Sequence, residues 1–356
     1  MFSFAYFRSG ADWQRSPGDL RNSRPRESVG FAMSAGYKGL RETAAWLDLS
    51  GRGKIRVTGE DRARLLHAMC SQNIEVMQPG DGVYAFFLNA QGRILADANI
   101  FCFDDHFLLD TERETARKVF EHLDRYIIAD DVTLADDTDT TATLAVEGPA
   151  AERVLQEICA QDEVLLPVPA GATVPWKGAV VARVDFTGAP GYFIFLPASA
   201  KDEFAGKLSG LPQADADEAR VVRIENGRPR YGEEITERYL VQETGQLRGV
   251  HFSKGCYLGQ EIVERVRSRA QIHRVLRRLE LDTKELPAAG TKLNSTMPGG
   301  TPGGTLGSAA SAEAAEIVSS AFSPALGKAV ALAYVRTPFA EPGTIIDTGS
   351  FTARVS

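Results

Sequence analysis

Several features that mark large protein classes are scarce in this sequence. Its 356 residues include four cysteines and five histidines. No two cysteines form a CxxC pair, which argues against a disulfide framework and favours a reducing, cytoplasmic setting. No apolar run approaches the ~18–20 residues that span a bilayer. The composition therefore excludes a disulfide scaffold, and we expect no membrane partner.

Positive charge is also in short supply. Lysine and arginine number 40 against 47 acidic residues, for a net charge of −7. This balance argues against a protein whose main task is gripping nucleic acid. The histidines and cysteines form no metal-ligand set within one segment, and the hydrolase signature G-x-S-x-G is absent. We predict no metal site.

The chain divides into an extension and two folded regions. Residues 1–33 combine arginines with scattered serine, proline and glycine, which predicts a disordered extension. The alternative is a transit peptide, which would place the protein in the mitochondrial matrix. We expect a first folded region at 34–272 and a small β-barrel at 273–356, with a flexible glycine-rich loop at 295–314.

Hydrophobic periodicity predicts an α+β fold with mixed or antiparallel sheets. Strands and helices alternate irregularly, with hairpins among them, unlike a doubly wound parallel sheet. Strands are expected at 84–88 and 93–103 around a turn at 89–92, and a strand pair at 180–186 and 192–196. Residues 217–225 read as a helix that ends before Gly227.

The best candidate for a reactive thiol is Cys256. It stands beside Gly255 and two residues after Lys254, and Gly259 follows it. A nearby lysine and a helix N-terminus near Gly259 would lower the thiol pKa. The bland alternative is a small buried residue in a tight turn, which is how free cysteine usually occurs. Cys70 lies among apolar helix residues and is expected in the core.

A basic segment follows the cysteine, and its arginines are at positions 265, 267, 269, 274, 277 and 278. The alternate spacing of the first three would place them on one face of a strand. That face is either simply solvated or a site for carboxylates, on a ligand or on an acidic partner.

The motif KGCYLGQE at residues 254–261 resembles the signature of the YgfZ family. These folate-binding proteins assist iron–sulfur cluster assembly or repair and are related to the glycine-cleavage T-protein, an aminomethyltransferase. Matching stretches include FLNAQGRILADANIF at 87–101, FTGAPGYFIFLP at 186–197 and VVRIENGRPRYGEE at 221–234. The resemblance implies three subdomains arranged in a ring, with tetrahydrofolate in the central opening.

Several site residues follow from the resemblance. Arg223 matches a folate-contacting arginine, and Asp97 falls where T-proteins carry paired aspartates, one of them catalytic. Phe193 occupies the place of a folate-binding glutamate; a phenylalanine accepts no hydrogen bond, so another acceptor must substitute or the ring must sit differently. The resemblance also implies ligand contacts from four further residues: Asn89, Tyr192, Tyr257 and Gln260.

The main functional expectation is a tetrahydrofolate-binding accessory protein for iron–sulfur proteins. Cys256 would handle sulfur, iron or a transient iron–sulfur cluster, with Lys254 supporting its thiolate, and the partners would be iron–sulfur client or assembly proteins. One alternative is a folate-dependent aminomethyltransferase or demethylase, in which Asp97 would be catalytic. A second is a non-catalytic scaffold whose arginines at 265–278 dock an acidic partner.

Overall fold

The computed structural model describes residues 33–166, 169–269, 272–295 and 312–356. Almost all of the predicted extension and most of the predicted loop at 295–314 lie outside these ranges. The helices are α1 (Ala35–Glu42), α2 (Arg62–Met69), α3 (Arg113–Asp124), α4 (Ala151–Ala160), α5 (Lys201–Lys207), α6 (Ala216–Glu225) and α7 (Gln260–Arg269). Among the described residues, no helix combines the length and apolarity needed to cross a membrane.

The strands are β1 (Ala45–Asp48), β2 (Gly53–Thr58), β3 (Gly82–Leu88), β4 (Ile94–Cys102), β5 (His106–Thr111), β6 (Thr133–Asp136), β7 (Thr141–Glu147), β8 (Thr173–Trp176), β9 (Ala179–Ala182), β10 (Gly191–Pro197), β11 (Arg274–Leu281), β12 (Lys292–Ser295), β13 (Ala312–Ser323), β14 (Lys328–Arg336), β15 (Ile345–Asp347) and β16 (Thr352–Val355). They form three sheets, ordered β3-β4-β5-β2-β6, β1-β7-β10-β9-β8 and β12-β13-β14-β11-β16-β15. The predicted hairpin of β3 and β4 is present, and neighbouring strands in these sheets run antiparallel.

The third sheet is the C-terminal barrel. Its two edge elements, β12 and β15, lie against each other, so the sheet curls almost into a closed cylinder. Its inward-facing residues, such as Leu279, Ile317 and Val335, are fully buried. Curling the sheet in this way covers edges that would otherwise expose unpaired backbone groups.

The first two sheets pack against each other through aromatic side chains. Phe101 of β4 and Phe195 of β10 meet edge to face, with ring centroids 5.2 Å apart. Val222 of α6 is buried in the same cluster. An edge-to-face aromatic pair adds about 0.5–1.5 kcal/mol beyond its buried area. Helix α6 therefore packs at the junction between the two sheets, and one of its residues, Arg223, lines a cavity there.

The predicted strand at 180–186 is shorter than expected, since β9 ends at Ala182. The buried Glu147 at the end of β7 explains the difference. Its carboxylate accepts hydrogen bonds from the backbone N–H of Phe186 and from the N–H of Thr187, the latter at 2.9 Å. These bonds draw the chain out of the sheet, and residues 183–187 become a loop with Asp185 near its middle.

Candidate functional site

Two cavities lie where the first two sheets meet the segment that follows α6. The narrow cavity has a volume of about 40 Å³, and its wall includes Asp97, Phe193, Arg223 and Tyr231. The wide cavity has a volume of about 240 Å³, and its wall includes Gln72, Arg183 and Arg248. Four residues line both: Tyr84, Asn99, Asp185 and Arg228. The cavities are therefore neighbouring parts of one cleft.

The β3–β4 hairpin carries the first group of cleft residues. Its register pairs Tyr84 with Asn99 and Phe86 with Asp97. Side chains of directly paired residues share a face, and residues two apart along a strand share that face too. Tyr84, Asp97 and Asn99 are therefore presented together, toward the cleft.

Asp97 is the group of the cleft best suited to proton transfer. Its side chain is buried, and the Tyr84 hydroxyl donates a hydrogen bond of 2.7 Å to its Oδ2. Burial raises the pKa of Asp97 to about 6, against the hydrogen bond from Tyr84, which favours the charged form. At near-neutral pH this carboxyl is accessible in both protonation states. The structure thus places the predicted catalytic acid on a cavity wall.

Arg223 also lines the narrow cavity. It is 1% exposed, and its guanidinium is held within the protein. Nη1 donates to Glu234 and to the carbonyl of Arg228, both at 2.7 Å, and Nη2 donates to Glu233. Arg223 therefore fastens α6 to the segment 228–234, and direct contact with a ligand stays a prediction.

A charged network behind the narrow cavity was not foreseen from the sequence. Arg52 donates to Asp110 at 2.9 Å and to Glu112, while Arg230 donates to the other oxygen of Glu112 at 2.9 Å. Asn99 donates to Asp110 at 3.1 Å. Burial by itself raises the pKa of Glu112. The two arginines more than offset this effect, so the pKa of Glu112 is lowered. The stretches at 87–101 and 221–234 that carry the family resemblance include Asn99 and Arg230 of this network. Strand spacing alone does not predict that these residues meet Arg52.

Phe193 faces the narrow cavity from β10, and Tyr192 does not. Successive residues of a strand point to opposite faces. Tyr192 is 1% exposed, packs in the core of the second sheet and lines neither cavity. The prediction that Tyr192 contacts the cofactor is therefore corrected: the residue of β10 that reaches the cleft is the phenylalanine.

Asn89, another predicted ligand contact, instead closes the hairpin turn. Its Oδ1 accepts from the backbone N–H groups of Gln91 and Arg93, both at 3.0 Å. It lines neither cavity. An asparagine that bonds its own backbone in this way is a turn residue, and a contact of Asn89 with the cofactor stays a prediction.

The cysteine motif forms a structural clamp. The Lys254 ammonium donates to three carbonyls at the C-terminus of α2, those of His67, Cys70 and Gln72, the last two at 2.8 and 2.7 Å. An ammonium has three N–H groups, so none is left for the thiolate. A hydrogen bond from Lys254 to the Cys256 thiolate is therefore not available, and the predicted support of the thiolate by Lys254 stays a prediction. Burial lowers the pKa of Lys254.

Cys256 itself is exposed, while the other three cysteines are buried. The bland expectation of a buried residue at this position is therefore wrong, and the core expectation for Cys70 is confirmed. Cys256 lines neither the narrow nor the wide cavity. The thiol is accessible, but it does not share the cleft with Asp97.

Tyr257 and Gln260 belong to the packing of the same motif. Tyr257 is 8% exposed, and its ring lies 4.8 Å from the Lys254 ammonium. Gln260 begins α7, and its Oε1 accepts from the Tyr257 N–H at 3.2 Å. Neither residue lines the two cavities, and their assignment as cofactor contacts stays a prediction.

The six arginines do not share a strand face. Arg265, Arg267 and Arg269 lie on helix α7, as the helix start near Gly259 allowed, whereas the other three lie on β11. Arg274 is paired with Glu243 at 2.8 Å. The expectation of a single arginine face is therefore wrong, and docking of an acidic partner there stays a prediction.

The fold defines the class of protein. A crystal structure of glycine cleavage system aminomethyltransferase T from Bartonella henselae superposes with a TM-score of 0.76, covering 91% of this chain and 88% of that one at 19% identity. At that identity the likeness shows the fold alone. It confirms the predicted α+β class with antiparallel sheets and a C-terminal barrel.

Comparisons of sequence then give the family. Residues 3–254 match the GCVT N-terminal domain, and residues 274–355 match the glycine cleavage T-protein C-terminal barrel domain. An aminomethyltransferase of Streptomyces coelicolor is 31% identical over 86% of this chain and 82% of its own length. An aminomethyltransferase of Rubrobacter xylanophilus is 28% identical over 85% of this chain and 79% of its own length. This chain belongs to the glycine cleavage T-protein family.

Proposed function

We propose that this protein binds tetrahydrofolate in the cleft and transfers a one-carbon unit from an aminomethyl donor, with Asp97 moving the proton. The observation that carries the proposal is the Asp97–Tyr84 pair: a buried carboxyl with a pKa near 6, oriented by a hydroxyl on a cavity wall. Such tuning is characteristic of general acids and bases.

The residues of the cleft fit a folate. Aromatic side chains of Tyr84, Phe186 and Phe193 offer surfaces for a flat ring. Carboxylates on the same walls can accept hydrogen bonds from ring N–H groups. The arginines of the wide cavity suit the carboxylates of a glutamate tail, which the sequence had pointed to at 265–278 instead.

The reaction has a definite proton balance. Tetrahydrofolate supplies two nitrogens that take up the methylene carbon of a donor X–CH₂–NH₂, while X–H and ammonia leave. Two protons are therefore released from the acceptor, and one must reach each leaving group. Asp97 can take one proton and return it, because both of its states are accessible near pH 6. The Tyr84 hydroxyl holds the carboxylate in place.

Calorimetric titration with tetrahydrofolate, followed by assay of methylene-tetrahydrofolate from S-aminomethyl thioethers of small dithiols, tests the proposal. We expect micromolar binding, about −8 kcal/mol, and product formation that Asp97→Asn slows about 10²- to 10⁴-fold without loss of binding. Saturable binding with no turnover of any donor would overturn the transfer step. Absence of binding would overturn the whole proposal.

A second candidate function is the accessory role in iron–sulfur assembly or repair, favoured by the exposure of Cys256. We propose it as an activity separate from the cleft, in which the thiol meets iron–sulfur client or assembly proteins at the surface. In cells lacking the native protein, Cys256→Ser should fail to restore cluster-dependent enzymes, whereas Cys102→Ser should restore them. Full restoration by a folded Cys256→Ser would end this candidate.

A further inference from the structure

One carboxylate of the cleft has an acceptor atom with no hydrogen bond. Asp185 lines both cavities, and its Oδ1 is buried without a hydrogen-bond partner among the described residues. The nearest cation is Arg228, whose Nε lies 3.3 Å away as an ion pair. A buried acceptor without a hydrogen bond costs about 1–3 kcal/mol, so its persistence calls for an explanation.

The other carboxylates on the narrow cavity are already engaged. Asp97 accepts from Tyr84, and Glu112 accepts from Arg52 and Arg230. Among the described carboxylates of this wall, Asp185 is the one with a buried oxygen that accepts no hydrogen bond.

The loop that carries Asp185 is held by hydrogen bonds at Asp185 and at the two residues that follow it. Glu147 fixes the following residues through the N–H groups of Phe186 and Thr187. Arg228 donates through Nη2 to the Asp185 carbonyl at 3.5 Å. An acceptor held in place before binding loses little conformational freedom when a ligand arrives.

From this geometry we propose that Asp185 accepts hydrogen bonds from the amino-pyrimidine edge of the bound folate. That edge presents the 2-amino group and an adjacent ring N–H, two donors side by side, which a carboxylate can receive together. Phe186 and Phe193 line the same cavity and can contact the ring's faces. The inference rests on the proposed function and leaves Asp97 free for proton transfer.

A double-mutant cycle between protein and ligand tests the assignment. Wild type, Asp185→Asn and the exposed control Asp202→Asn are titrated with tetrahydrofolate and with its 2-desamino-2-methyl analogue. For tetrahydrofolate we expect Asp185→Asn to weaken binding about 10- to 100-fold, the range for a charged acceptor lost from a buried hydrogen bond. The analogue keeps the ring N–H but lacks the amino donor, so the same substitution should weaken its binding at least about threefold less than it weakens binding of tetrahydrofolate, and Asp202→Asn should change neither.

The outcomes separate this inference from the proposed function. No binding of tetrahydrofolate to wild type would defeat both. Binding to wild type with equal losses for both ligands, or no loss for either, would overturn only the role of Asp185. If Asp185→Asn fails to fold, Asp185→Ser replaces it. Wild type alone must still prefer tetrahydrofolate over the analogue at least tenfold, and equal affinities would overturn the inference.

Discussion

The Asp97 region and the Cys256 region teach different lessons about where chemistry resides. The cysteine motif is the more distinctive in sequence. Its lysine, however, donates hydrogen bonds to three carbonyls, and its thiol lies outside the two cavities of the cleft. Asp97 sits in a less distinctive stretch, but it is buried, oriented by Tyr84 and shifted toward neutral pKa. A distinctive sequence motif therefore does not by itself locate the group whose environment suits it to proton transfer.

The largest expected effect would break this comparison directly. Asp97→Asn removes the proton-transferring group while keeping the size of the side chain. We expect the rate of methylene-tetrahydrofolate formation to fall about 10²- to 10⁴-fold, the usual contribution of a general acid or base. Cys256→Ser, measured in the same assay, should keep the wild-type rate. The reverse pattern would move the chemistry to the thiol.

The next effect concerns stability on the cysteine side. Lys254→Met leaves the three carbonyls at the end of α2 without their donor, and we expect unfolding free energy to fall by about 3 kcal/mol. Lys118→Met, which breaks an exposed pair with Glu237, should cost at most about 1 kcal/mol. Urea unfolding compares the two. Equal losses would contradict the clamp.

The smallest effect sharpens the cavity side. Tyr84→Phe removes the hydroxyl that favours the charged form of Asp97, so the pKa of Asp97 should rise above its value of about 6. A hydrogen bond of about 1 kcal/mol corresponds to somewhat less than one pH unit. The acidic limb of the pH–rate profile should therefore move to higher pH by that amount. An unchanged or downward shift would show that Tyr84 does not set this pKa.

Local pattern predicted the elements with strong periodicity. The hairpin at 84–103 and the helix at 217–225 both appear, because the hydrophobic pattern and the turn residues agree there. Strand β13 was missed; its sequence, AEAAEIVSSAFS, is rich in small residues and gives a weak pattern. The helical state of 265–269 was misread because arginines at every second position also fit a strand.

The site was predictable only where the resemblance named a residue. The resemblance named Asp97 and Arg223, which line the narrow cavity, whereas Tyr84, Arg52 and Asp185 come from strands and a loop far apart in sequence. Their meeting depends on sheet register and on the Glu147 hydrogen bonds, neither of which spacing reveals. Tyr192 shows the opposite error, since one step along a strand decides between cleft and core.

The anchoring of Arg223 has a mechanical consequence. The residue ties α6 to the wall segment that carries Arg228 and Tyr231, and the far side of α6 rests on β13 and β14 of the barrel. A tilt of the barrel would therefore move α6 and, through the hydrogen bonds of Arg223, the cavity wall. The described residues of the C-terminal barrel contribute no side chain to the lining of either cavity, yet the barrel would in this way influence the cavity's width.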